Sequence, residues 1–377
     1  MLLNPFFLYS LTWIGTILLY NFEISKLYPK LSKDLLVFIY FSIFISILLG
    51  IFYRIKIKKN INLNLIGKKY LLEYILIFLC LIIEFIYVGK IPLIETILKT
   101  GYTYMDFKGI KTFHVVVLTY NFYLTLCAFN DFQYTKEKKY LLFCNLGLIP
   151  YIFLYTRGPF LMLCICLFFI WLFYNYNLKT IIKIFFLGIV FLYIFGITGN
   201  IRHYYRWNDT RMIKEIAKIK IEKNILDPFI WSYVYITSPL GNLQYNINNF
   251  ESLYNVKSFI SENLLPDAIS KRVDYEKANP KLMTDVLTVS TTYVSSYLYY
   301  GKIGMVISFL IYLFFEIIYL FFLRKSKYYV TGLSLVSILN IFSIFDNMFV
   351  FSGLSFCLVY PLIDISIDKI KDKKEMK

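Results

Sequence analysis

Charge is scarce in this chain, and histidine is scarcer. Charged residues make up 17% of its 377 residues, and only two are histidines, His114 and His203. Cysteine is absent from the polar connections: all six (Cys80, Cys127, Cys144, Cys164, Cys166, Cys357) lie inside apolar runs. That excludes a disulfide framework and zinc spacing, and leaves them as small core hydrophobes. There is no HExxH, no Gly-rich phosphate loop after a strand, no Walker sequence and no catalytic serine or cysteine signature. With two histidines and no clustered carboxylates, neither a metal nor another cofactor is expected. The net charge of +16 would raise nucleic-acid binding in a soluble protein. Here the basic residues sit between apolar runs, where they set topology and meet membrane lipids, and no nucleic-acid partner is expected.

What is present is apolar length. The chain is 58% hydrophobic and 20% aromatic, with a mean hydropathy of +0.60. A soluble domain is nearer 45–50% apolar. The runs are continuous rather than alternating, so they predict helices and not barrel strands. The expected fold is an all-α polytopic membrane protein with about ten transmembrane helices, each near the ~20 residues a bilayer requires. They are placed at 4–22, 34–53, 70–88, 112–130, 139–156, 158–176, 181–198, 302–323, 328–345 and 348–367. Residues 1–22 lack a cleavable signal and are read as the first span. The chain divides into an N-terminal bundle of about seven helices at 1–198, a large extracytoplasmic loop with interfacial helices at 199–301, and C-terminal helices with a basic cytoplasmic tail at 302–377. Lys and Arg of the short connections favour both termini in the cytoplasm. That orientation puts the long loop, the 89–111 loop, the turn at 156–159 and both histidines outside.

Three stretches carry the candidate chemistry. In "YTRGPFLML", 155–163, Arg157 is held at a membrane boundary by a tight helix-to-helix turn, with Pro159 at a helix start. It either snorkels to lipid phosphate or binds an anion. In "GNIRHYYRW", 199–207, Arg202 and Arg206 are four apart, and Gly199-Asn200 either continues the helix or stops it. Two guanidiniums there suit the oxygens of a diphosphate, while Tyr204 and Trp207 equally suit an aromatic belt. In "FIWSYVYITSPLGNLQY", 229–245, an aromatic run broken at Ser238-Pro239 is expected to be re-entrant or interfacial, and is either packing or a wall against sugar rings that includes Asn242. Residues 210–224 read as an interfacial amphipathic helix. Glu73, Glu84 and Glu316 are costly intramembrane carboxylates.

Together these pieces resemble the Wzy-like oligosaccharide repeat-unit polymerases, the O-antigen and capsular polysaccharide polymerases of bacteria. The likeness is carried by "YTRGPFL", "TGNIR", "YITSPLGNL" and "VSSYLYYGKIGMVISFLIY" at 294–312. There the family often has an acidic-aromatic-Gly turn, and this chain has Tyr299-Tyr300-Gly301. The resemblance implies a GT-C-like architecture in the bacterial cytoplasmic (inner) membrane. It implies a metal-independent inverting glycosyltransferase joining undecaprenyl-diphosphate-linked oligosaccharides at the outer face, with a chain-length regulator as a further partner. On that reading Arg157, Arg202 and Arg206 stabilise the leaving diphosphate. His203, His114 or Asp209 is the base, and His114, Tyr204, Trp207 and Asn242 contact substrate. O-antigen ligase, of nearly the same build, and a lipid-linked oligosaccharide flippase are the alternatives. A flippase would have more spans and no loop of about a hundred residues.

Overall fold

The computed structural model describes residues 3–53, 69–207, 212–220 and 227–366. Among the described residues the secondary structure is helical, apart from an isolated bridge between Ser25 and Ile219. The helices are α1 (Pro5–Tyr20), α2 (Lys33–Phe52), α3 (Tyr70–Val88), α4 (Pro92–Ile97), α5 (Phe113–Thr135), α6 (Lys138–Phe153), α7 (Arg157–Tyr174), α8 (Leu178–Trp207), α9 (Met212–Ile216), α10 (Asp227–Asn249), α11 (Val256–Asn263), α12 (Asp267–Ser270), α13 (Val294–Leu323) and α14 (Tyr329–Phe342). The last, α15 (Ser352–Ser366), is short and apolar.

Among the described residues four helices, α2, α3, α5 and α13, are long and apolar enough to cross a membrane. On α3 the outward residues Leu72, Leu76, Leu79, Ile83 and Ile86 are all at least half exposed. A helix in water buries its apolar stripe, so this outward face belongs in lipid. The inward faces form a close-packed core around Leu163, Ile170, Leu320, Leu333 and Leu339 and a second around Trp13, Leu35 and Tyr293. Local devices fix these contacts. The Asn4 side chain accepts from Phe6 N at 3.1 Å to cap α1, and its Nδ2 donates to Tyr53 O at 2.6 Å, tying the start of α1 to the end of α2. A Cβ on Gly147 of α6 would fall 1.9 Å from Thr125 Oγ1, so only glycine allows α5 and α6 to approach so closely.

Three expectations about the polar segment change. The helix expected at 181–198 runs on through Gly199 and Asn200 to Trp207 as α8. The segment 229–245 is not broken at Ser238-Pro239: α10 passes through Pro239 as one 23-residue helix. It packs on α8, α1 and α13, and Thr237, Asn242, Gln244 and Asn246 along it are fully buried. Packing on several sides holds the helix although Pro239 removes one of its hydrogen bonds. Of the interfacial helix expected at 210–224, residues 212–220 are described, and only Met212–Ile216 is helical, as α9. Ile213 and the following Ala217 bury against Trp231 and Val234 of α10.

α13 is longer than the run at 302–323 and is kinked. Gly301 has φ 62°, and Tyr300 before it is also non-helical. The kink frees carbonyls in the preceding turn, and two of them find outside donors. Ser252 Oγ donates to Tyr297 O at 2.8 Å, and Leu253 N donates to Leu298 O at 2.9 Å.

The connections gather at the two ends of the bundle. At one end Asp267 N donates to Val350 O at 2.8 Å, Thr292 N to Ser343 O at 2.9 Å, and Ser32 N to Gln244 Oε1 at 2.7 Å. Arg272 also donates to Thr112 Oγ1 there. This is the loop-bearing end. Toward the other, Tyr70 donates to Asp131 at 2.5 Å, Tyr123 to Asp364 at 2.6 Å, and Tyr174 to Asn130 at 3.1 Å.

Candidate functional site

Glu84 lies near the end of α3, which Gly89 closes in a left-handed conformation (φ 72°). The chain then loops back through a short 3₁₀ turn at Tyr104–Asp106 and enters α5, whose second residue is His114. This return brings together a carboxylate and an imidazole 30 residues apart. His114 Nδ1 is 2.8 Å from Glu84 Oε2, and Ile110 N donates to Glu84 Oε1 at 3.2 Å. Glu84 is fully buried, and the His114 side chain is 14% exposed. A Cβ on Gly109 would sit 2.7 Å from Glu84 Oε1 and 3.0 Å from His114 Nδ1, so the pair closes over a glycine.

The electrostatics orient the ring. The carboxylate takes a hydrogen from Nδ1, which leaves Nε2 of the neutral ring as an acceptor. Tyr104 occupies that position, its hydroxyl 3.2 Å from Nε2. Burial first, and the Glu84 charge second, push the Tyr104 phenol above its ordinary range, so it stays protonated and donates. The arrangement is a carboxylate-oriented imidazole with a hydroxyl where its lone pair points. It suits proton abstraction from an alcohol.

Arg157 begins α7, and its side chain and those of residues 201–207 lie outside the described set. The backbone still locates them. The α6–α7 turn reaches the His114 loop through a ladder of rings: Phe153 to Phe85 at 6.4 Å, Phe85 to Phe107 at 5.9 Å, and Phe107 to His114 at 5.4 Å. The turn bearing Arg157 and the His114 site thus share the loop-bearing end. Arg202, His203, Tyr204, Arg206 and Trp207 all fall on the last two turns of α8, with Arg202 and Arg206 one turn apart. The turn of α8 just before them, residues 196–200, is pressed on α10. Asn200 Oδ1 accepts from Trp231 Nε1 at 2.7 Å, and a Cβ on Gly196 would meet Pro228 O at 1.8 Å. His114 therefore rests on α3 and α5, and α8 at residues 196–200 rests on α10. The segment from 250 to 293 runs between these flanks, tied to Thr112 by Arg272 and to Asn246 by Lys281. Asp209, also named as a base, lies outside the described residues.

Asn242 has a different use from the one expected. Its Nδ2 donates to Leu287 O at 2.6 Å and to Val289 O at 2.8 Å, and its Oδ1 accepts from Met283 N at 3.0 Å. Both amide hydrogens clamp the returning loop, which leaves none for a sugar. Among the intramembrane carboxylates, Glu73 accepts from Tyr120 OH at 2.7 Å and from Lys69 N at 3.1 Å. Two features were not read as site elements from sequence: the Glu84–His114 pairing, and a group formed by Glu262, Asp267 and Asp346 at the loop-bearing end. Nothing in the spacing of 262, 267 and 346 announces that meeting. Compared with known protein families, with curated proteins and with solved structures, the chain matches none.

Proposed function

We propose that this membrane protein is a glycosyltransferase of the oligosaccharide repeat-unit polymerase type, with about ten spans and a GT-C-like arrangement. It joins undecaprenyl-diphosphate-linked oligosaccharides at the outer face of a bacterial cytoplasmic membrane, and both its termini are cytoplasmic. The observation that carries the reading is the Glu84–His114 pair, 2.8 Å apart at the end of the bundle where the α6–α7 turn also lies. The likeness of "YTRGPFL" and "TGNIR" to such polymerases supports it.

In this mechanism an acceptor sugar hydroxyl displaces Tyr104 from His114 Nε2. The hydroxyl oxygen attacks the anomeric carbon of the donor, and its proton passes to Nε2 while Glu84 holds the imidazolium. The bond from anomeric carbon to diphosphate breaks with inversion, and the diphosphate leaves with the electron pair. Arg157, Arg202 and Arg206 stabilise that charge. His203 lies beside those arginines and takes a supporting role, and Tyr204 and Trp207 stack on sugar rings. A chain-length regulator is a further partner.

The test is purified protein in lipid vesicles with a lipid-linked repeat unit and no other enzyme. A ladder of polymer and released undecaprenyl diphosphate is expected. Unchanged repeat units across a panel of such substrates, with correctly folded protein, would defeat the proposal. Transfer only to a lipid A core would make it a ligase.

A further inference from the structure

Glu316 is one carboxylate that the proposed reaction does not use. It lies on α13, deep among α1, α2 and α14, and is 3% exposed. It borders a cavity of about 20 Å³ that is also lined by Tyr9, Ser46, Thr292, Tyr312 and Asn340. That volume admits one water molecule or one small ion. Asn340 of α14 is 4% exposed, and its side-chain amide faces the carboxylate across the cavity wall. No Lys or Arg lines the cavity; its other titratable groups are Tyr9, Tyr293 and Tyr312. A lone carboxylate in such a place must be neutralised.

A chain of buried polar groups links the cavity wall to the loop-bearing end. Tyr312 OH donates to Asn263 O at 2.9 Å, and Asn347 Nδ2 donates to Tyr312 OH at 2.7 Å. Each asparagine follows an acid in sequence, Glu262 before Asn263 and Asp346 before Asn347. With Asp267 these acids make a negative mouth on a chain whose net charge is +16. Lys271 and Lys277 flank it, Lys277 Nζ lying 3.7 Å from Glu262.

We propose that the Glu316–Asn340 cavity binds one monovalent cation, a proton or a sodium ion, admitted from the loop-bearing end past Tyr312. One carboxylate balances one positive charge, whereas a divalent ion would want more anionic oxygens than this cavity offers. The acidic mouth concentrates cations, the Asn–Tyr pairs carry them past the apolar layer, and the occupied site completes the packing of α13 against α14. This site stands independently of the transferase reading.

The test uses the native protein in lipid vesicles and dicyclohexylcarbodiimide, an apolar reagent that converts a protonated carboxyl into a stable N-acylurea. Mass mapping locates the adduct, so the experiment does not depend on a variant that folds. The expected result is an adduct on Glu316, absent in Glu316→Gln, whose rate rises as pH falls, by at most about tenfold per unit, and levels off once the carboxyl is fully protonated. Several-fold protection by sodium but not by choline identifies sodium as the occupant; equal rates in the two salts identify the proton. An unlabelled Glu316 in protein that labels there once unfolded overturns the proposal. A labelling rate independent of both pH and sodium does the same.

Discussion

At the residue scale the central object is His114 with its two partners. The tautomer decides what the ring can do. Glu84→Gln presents an amide hydrogen to Nδ1, which turns that nitrogen into an acceptor and puts the ring hydrogen on Nε2, where it cannot take a proton from an alcohol. Polymer formation by Glu84→Gln should therefore fall about as far as in His114→Asn, roughly a hundredfold or more, at matched levels of folded protein. Tyr104→Phe should keep most activity, because its hydroxyl only holds the place of the substrate's. A normal rate in His114→Asn would reduce the pair to a structural contact. Arg206 separates charge from geometry: if it grips diphosphate with a planar fork, Arg206→Lys should lose about 1.5–3 kcal/mol, ten- to a hundredfold in rate. A near-normal rate with Lys and a poor one with Ala would make it a point charge. The rarity of histidine made His114 visible in the sequence. Glu84 was visible only as a costly carboxylate, because its partner lies across a helix end and a returning loop. Asn242 was legible as a polar residue in an apolar run. Its clamp on Met283, Leu287 and Val289 was not, since that depends on a segment folding back from about forty residues away.

At the scale of elements, most helix positions followed from apolar run length, and α2 and α3 begin and end within a residue or so of the runs. The failures share a cause. Gly199-Asn200 and Ser238-Pro239 are local stop signals, and both are overridden by packing: the first where α8 presses on Pro228 and Trp231 of α10, the second where α10 is held between α1, α13 and the returning loop at Ser290. Gly196→Val should therefore separate α8 from α10, since its side chain would collide with Pro228. The expected outcome is faster hydrogen exchange through 227–235 and loss of polymer formation, with exchange in α5 unchanged. Slow exchange in both helices would show that the contact is dispensable. The kink in α13 makes a second prediction. Gly301 occupies a left-handed φ of 62°, so Gly301→Ala should cost about 1–2 kcal/mol, read as a lower thermal midpoint.

At the scale of the whole molecule the two ends differ in character. Loss of water pushes Asp267 and Asp346 above the ordinary carboxylate range; for Asp267 the attraction of Lys271 opposes this and Glu262 adds to it, while for Asp346 both Asp267 and Glu262 add to it. A raised folded-state pKa means that the folded form holds more protons, so this contribution is full below the unfolded value near 4 and fades as pH rises through the folded value. Exchange of residues 265–273, corrected for intrinsic chemistry, should thus slow as pH falls from neutral toward about 5, and Asp346→Asn should flatten that trend. Sidedness is tested by reporter fusions: Lys138 should report cytoplasm and Glu251 the outside, and the reverse would place the His114 site on the wrong face for a lipid-linked donor. The far end holds a different consequence. Tyr360 meets Thr119 at 2.9 Å, and Tyr123 donates to Asp364 at 2.6 Å, so α15 pins the helix that carries His114. Of the described helices, α15 is the last to leave the ribosome. Until it inserts, α5 lacks the Thr119–Tyr360 and Tyr123–Asp364 contacts that hold it from that side. A nascent chain that has not yet delivered α15 thus lacks this brace on the helix that carries His114.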